Sequence, residues 1–252
     1  MAKVITTFNQ AGGVGKTSLT MNLGYQLGQR KKQKVLLIDM DPQASLTIFM
    51  GLDPTEQELT VKDAILDKKN LPIHYEINGI DLVPANILLS VAEMQLTSVL
   101  RRELRLKQAI DKITDQYDFI LIDSPPSLGM LSTLSLVAAN YVLVPSQTQF
   151  KSIQGTNLVL QTIADIRSAI DHKLELAGVV PTIYAKGTLQ DREALNVLES
   201  QLSKITKVYP PLPRSTAFPD ASQERLPLAI FSPKHPAVEI LNQIAKDLEK
   251  LP

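Results

Sequence analysis

The chain has 252 residues, 26 Lys+Arg against 26 Asp+Glu and 44% hydrophobic residues, an ordinary balance with ample length for a core. The absence of Cys rules out a disulfide framework, a thiolate metal site, a Cys-ligated iron–sulfur cluster and a Cys nucleophile. Zero net charge argues against a surface given over wholly to nucleic acid, while leaving room for a local basic face.

Short aliphatic runs bounded by turn residues predict strands, and 3.6-residue spacing predicts helices. A strand at Val4 to Phe8 leads into a helix at Ser18 to Arg30, and a second strand follows at Val35 to Ile38. Thr60 to Val99 is less regular, with strand-like Ile80 to Val83 and helical Ile87 to Leu96, and reads as an insertion or connecting arm. Next come a helix at Leu100 to Thr114, a strand at Phe119 to Ile122, a helix at Met130 to Ala139 and a strand at Tyr141 to Val144. A helix at Ile153 to Ile170, a strand at Leu176 to Val180 and a helix at Leu189 to Ile205 continue the alternation. Pro-rich Tyr209 to Arg214 and Phe218 to Pro227 read as extended loop before a last helix from Pro236 to Lys250.

Uniformly apolar strands need both faces buried, and right-handed crossovers supply the cover. The expected fold is therefore one α/β doubly wound domain over residues 1–252, with a mostly parallel sheet and helices on both faces. No apolar run approaches the roughly 20 residues that span a bilayer, and no targeting segment is visible. A soluble, cytoplasmic protein is expected.

Between the first strand and the first helix lies Asn9-Gln-Ala-Gly-Gly-Val-Gly-Lys-Thr-Ser18. Its glycines let backbone N–H groups turn toward one anion, and the helix N-terminus adds its dipole. Lys16 brings a point charge and Thr17 a hydroxyl suited to Mg²⁺. Gly12, Gly13, Val14, Gly15, Lys16, Thr17 and Ser18 are thus the expected phosphate-binding residues; the alternative is a Gly-rich turn with a chance Lys-Thr. The plain pattern G-x-x-x-x-G-K-[ST] is not met, because Gln10 stands at its first Gly. Asp39 and Asp41 lie just past the carboxyl end of a strand, the edge where ligands bind in such sheets. Carboxylates there otherwise cap helices or form turns.

The loop resembles the deviant Walker A motif of ParA-type ATPases. The likeness continues through Ile38-Asp-Met-Asp-Pro-Gln43, Leu121-Ile-Asp-Ser-Pro-Pro-Ser127 and the Pro213-Arg214 loop, and covers essentially the whole chain. It implies a P-loop fold with ATP and Mg²⁺ bound, a sandwich homodimer that forms on ATP, and slow hydrolysis stimulated by an adaptor protein. It further implies non-specific DNA binding, a nucleoid location and the positioning of a cargo. By the same resemblance Asp41 positions the attacking water beside catalytic Lys16. Thr17, Asp39 and Asp123 lie around Mg²⁺, and Pro213 borders the nucleotide.

Members of this family usually carry a second Lys at the position of Ala11, which reaches the partner's phosphates. A methyl group cannot supply that charge. An engineered substitution, a slow natural subfamily and a cation from elsewhere are the three explanations. Lys151, in the loop after the strand Tyr141 to Val144, is the candidate for the last; its alternative is a solvated Lys opening the next helix. The missing Lys also makes the sequence similar to the carboxysome-distributing McdA group, with plasmid or chromosome partition as the alternative and a nucleotide-gated scaffold without turnover as another. A membrane-surface role for the last helix is disfavoured, since its polar face mixes Glu239, Asp247 and Glu249 with Lys246 and Lys250. Lys186, Arg192, Lys204, Lys207, Arg214, Lys234 and Lys246 are the candidate DNA-phosphate contacts, with Arg214 first among them.

Overall fold

Successive residues of a strand point to opposite faces of its sheet, so a strand apolar at every position must be covered on both sides. The computed structural model, which describes residues 1–170 and 173–252 except for the side chains of 150–154 and 157, has this arrangement. Its strands are β1 (Lys3–Thr7), β2 (Val35–Asp39), β3 (His74–Ile77), β4 (Ile80–Val83), β5 (Phe119–Asp123), β6 (Tyr141–Gln147) and β7 (Glu175–Thr182). They form one sheet in the order β3-β4-β2-β5-β1-β6-β7, parallel throughout except for β3 against β4. In β5, Ile120 and Ile122 enter one core cluster while Phe119 and Leu121 enter the other.

The helices are α1 (Lys16–Gln29), α2 (Ser45–Phe49), α3 (Val61–Asp67), α4 (Leu88–Leu96), α5 (Arg105–Asp111) and α6 (Met130–Ala138). They continue with α7 (Phe150–Ile170), α8 (Leu189–Leu202), α9 (Ala217–Gln223), α10 (Leu228–Phe231) and α11 (Pro236–Leu248). Helices α3 to α8 bury apolar residues in the first cluster; α1, α2 and α9 to α11 bury theirs in the second. The doubly wound, mostly parallel sheet expected from the sequence is the fold observed.

Three expectations are corrected. Thr60 to Val99 is no separate arm, because β4 pairs with β2 from Leu36↔Asp81 to Ile38↔Val83 and Val61, Ala64, Ile65 and Leu89 are buried in the core. Leu100 to Thr114 is not one helix: Arg101 takes a left-handed conformation (φ 54°), and a 3₁₀ turn at Arg102–Leu104 precedes α5. Phe218 to Pro227 is not wholly extended, since α9 runs through its first half. Pro219 sits in the first turn of α9, where a missing N–H costs no helical hydrogen bond. The last helix does lie on the body: Leu241, Ile244, Ala245 and Leu248 are buried, and Glu249 meets Arg30 at 2.9 Å.

One glycine fixes how the chain returns to the sheet edge. Gly178 adopts φ 145°, and a Cβ there would stand 2.5 Å from Tyr209 Cε2 and 2.9 Å from the Lys207 carbonyl oxygen. The close approach lets residues 207–209 pair with β7, where Val179 N donates to Lys207 O at 2.8 Å and Tyr209 N donates to Val179 O at 2.9 Å. That pairing carries the chain on to Leu212. Gly178→Ala should therefore cost about 2–4 kcal/mol, through backbone strain plus the clash. Urea unfolding checks this; an unchanged midpoint would contradict the packing described.

Candidate functional site

Parallel strands deliver their carboxyl ends to one edge, and the register there is tight. Thr7 and Asp39 both lie opposite Asp123, placing the ends of β1, β2 and β5 side by side. The loop between β1 and α1 crosses this edge. Gly15 takes φ 87°, a left-handed conformation that lets the loop turn directly into α1.

Polar side chains from neighbouring strand ends hold the loop in shape. Asn9 Nδ2 donates to the Pro145 carbonyl at 2.7 Å, and its Oδ1 accepts from Ala11 N at 2.9 Å. Thr182 Oγ1 donates to Val14 O at 2.9 Å and Gln147 Nε2 to Gly13 O at 2.8 Å. Lys16 closes the ring from inside: Nζ donates to Asn9 O at 2.9 Å and to Ala11 O at 2.8 Å. An ammonium has three donors, so one remains for a ligand. Burial lowers the Lys16 pKa, against the opposing pull of Asp123 and Asp41.

The three carboxylates differ sharply. Asp39 is buried and fully engaged, with Oδ1 accepting from Asp41 N at 3.1 Å and Oδ2 from Thr47 N and Thr47 Oγ1 at 2.9 and 2.7 Å. It fastens the start of α2 to the sheet edge. Asp41 is partly exposed, its Oδ1 accepting from Gln43 N at 2.9 Å, and desolvation raises its pKa while Lys16 opposes the rise. Asp123 is buried, with Oδ1 3.5 Å from Thr7 Oγ1 and Oδ2 without a hydrogen-bond partner among the described residues. Desolvation pushes its pKa up, and neighbouring Asp39 adds to the rise, with the Thr17 hydroxyl and Lys16 working the other way. A buried, unpaired carboxylate oxygen is costly unless a cation meets it.

Residues Thr17 and Asp123 therefore fit a Mg²⁺ ion. Among the described residues no group of three or more His, Asp or Glu could hold a metal alone. That suits Mg²⁺, which keeps waters and uses one or two protein groups together with substrate phosphates. A cavity of about 700 Å³ is lined by Gly13, Lys16, Thr17, Asp41, Pro213 and Arg214 together with the apolar Phe49, Leu212, Phe218 and Pro219. Gly15 and Ser18 also line it, while the Val14 side chain turns into the core and Gly12 is exposed. A crevice that combines charged groups with apolar walls matches a nucleotide.

Ala11 is exposed and brings no charge. Lys151 is not in a loop, since α7 already begins at Phe150, and its side chain lies outside the described residues. Arg214, the first candidate for a DNA-phosphate contact, is exposed and lines the crevice. Lys207 is paired with Asp247 at 2.7 Å, whereas Lys186, Arg192, Lys204, Lys234 and Lys246 are exposed without an ion pair among the described residues. Sequence reasoning missed Asn9, Thr47, Gln147 and Thr182, which shape the site by bonding to its backbone and to Asp39. A polar residue at or just past the end of an apolar strand is the signal that could have found Asn9, Gln147 and Thr182.

Residues 2–176 match the AAA domain family AAA_31. The chain is 33% identical over 256 residues to the chromosome-partitioning ATPase Soj of Treponema pallidum, covering 98% of this chain and 97% of that protein. It belongs to the ParA family of P-loop ATPases. The structure of cobyrinic acid a,c-diamide synthase from Mycobacterium smegmatis with bound ATP analogue and magnesium is 34% identical, covers 89% of this chain and 92% of its own, and superimposes with a TM-score of 0.80. McdA of Cyanothece shares the fold of this ParA-type chain, with a TM-score of 0.89 at 23% identity over 98% of this chain and 99% of its own. Among the described residues no helix is long and apolar enough to cross a membrane.

Proposed function

We propose that this ParA-type chain acts as a single domain that binds ATP with Mg²⁺, dimerises on it, hydrolyses it slowly and positions a cargo on DNA. The observation that carries the reading is the convergence of Lys16, Thr17 and Asp41 on one crevice, with buried Asp123 acting on Lys16 and its Oδ2 lacking a hydrogen-bond partner among the described residues. In this reading the loop N–H groups and Lys16 bind the phosphates, and Thr17 and Asp123 hold the metal, which offsets phosphate charge. Asp39 keeps Asp41 in place through the Asp41 N–H, and Asp41 orients the attacking water. Pro213 borders the nucleotide. Lys151 provides the cation absent at Ala11, its effect falling on turnover and dimerisation.

The cargo is a replicated DNA segment, a reading supported by full-length similarity to a chromosome-partitioning Soj. Carboxysome distribution is the second reading, favoured by Ala11 in place of the family's usual Lys. Either cargo requires an adaptor protein that stimulates turnover, a cytoplasmic location and attachment to the nucleoid. DNA is held by phosphate contacts from exposed basic residues such as Lys186, Arg192, Lys204, Lys234 and Lys246, doubled in the dimer.

Binding to unrelated DNA duplexes, measured with ATP, with ADP and without nucleotide over a salt series, tests the proposal. Binding should appear with ATP alone, ignore sequence and weaken steeply as salt rises. Preference for one sequence, or indifference to nucleotide, would contradict it.

A further inference from the structure

The nucleotide crevice has a cationic side chain that the phosphate loop does not supply. Arg214 lines the same cavity as Gly13, Lys16 and Asp41. Its main chain is fixed from two sides: Arg214 N donates to Tyr184 O at 2.9 Å, and Tyr184 N donates to Leu212 O at 3.0 Å. A parallel bridge between Tyr184 and Pro213 completes the join. The residue before Tyr184 is strained, because Ile183 also lines the cavity and holds φ 55°, a left-handed conformation that a β-branched side chain strongly disfavours. Such strain persists where surrounding structure imposes it, commonly at ligand sites.

The guanidinium itself is uncommitted. Among the described residues Arg214 has neither an ion pair within 4 Å nor a side-chain hydrogen bond; Asp191 acts on it only through its field. Lys16, by contrast, already gives two of its donors to loop carbonyls. Ala11 has none to give.

We propose that Arg214 is a nucleotide-binding residue, its guanidinium engaging the phosphate chain of the nucleotide held in its own subunit, and that it is not a DNA contact. This rests on the nucleotide reading of the crevice and adds a second cation to it. Planar guanidinium groups pair with phosphate oxygens in a two-pronged way that an ammonium cannot copy. The role differs from that of Lys151: Arg214 governs how tightly nucleotide is held.

Titration calorimetry of ATP and ADP binding with Mg²⁺ tests this on wild type, Arg214→Gln, Arg214→Lys and Lys16→Ala. Arg214→Gln should weaken both nucleotides by about 10- to 100-fold, as expected for charge-assisted hydrogen bonds, and Arg214→Lys should recover only part of the loss. Phosphorus NMR of ADP bound to Arg214→Gln should show displaced phosphate resonances, which a merely structural role would not move. An exposed side chain leaves the fold intact, so thermal unfolding without nucleotide should match wild type. If Arg214→Gln binds ATP like wild type while Lys16→Ala loses it, the Arg214 proposal fails and the nucleotide reading stands. Normal nucleotide binding with lost DNA capture would likewise overturn it, making Arg214 a DNA contact. Failure of wild type to bind ATP would overturn both readings together.

Discussion

Asp41→Ala is expected to abolish most ATP turnover while leaving ATP affinity intact. Asp41 lines the crevice beside Lys16 and Thr17, and its carboxylate accepts from Gln43 N, a bond that serves the local turn. Asp39, the carboxylate that anchors α2, stays in place in the variant through its bonds to Thr47. Removing a negative charge from a phosphate site cannot weaken anion binding by Coulomb's law, so affinity should hold or improve. What disappears, in the proposed function, is the group that orients the attacking water, a contribution of about 100- to 10,000-fold in rate. Phosphate release under saturating ATP, paired with a binding isotherm, checks both halves. Equal turnover in wild type and variant would show that another group positions the water.

Lys16→Ala should act at the earlier step and weaken ATP binding by about 100-fold or more. The ammonium is buried, sits inside the loop ring and has one donor unassigned. Its loss removes the charge at the centre of the phosphate site and also the clasp on Asn9 O and Ala11 O. Folding should nonetheless survive, because desolvation already disfavours the charged Lys16 in the native state. Undiminished thermal stability together with lost ATP binding is the expected pair. Loss of both would mean that Lys16 serves the fold first, and retained binding would remove it from the site.

The phosphate loop was legible because its chemistry is local: the glycines, Lys16 and Thr17 are nearly consecutive between a strand and a helix. The doubly wound sheet was legible for a similar reason, since buried strands announce themselves as short apolar runs. What distinguishes Asp39 from Asp123 was not legible. Both end apolar strands, yet Thr47, eight residues on, takes up one carboxylate while no hydrogen bond from the described residues reaches Oδ2 of the other. That contrast is created by packing between elements. That Arg214 lines the crevice was not legible, because its position depends on the Tyr184–Pro213 bridge, which joins residues some thirty apart. The α9 segment was misread because its prolines suggested a loop, although Pro219 occupies the one turn that tolerates it.

Sedimentation velocity of Asp41→Ala with ATP and Mg²⁺ tests most directly whether ATP assembles two copies of this chain, since slow hydrolysis cannot erode the nucleotide state. The expected result is a dimer with ATP, a monomer with ADP, and a monomer for Lys16→Ala under either nucleotide. A monomer of Asp41→Ala at saturating ATP would contradict it.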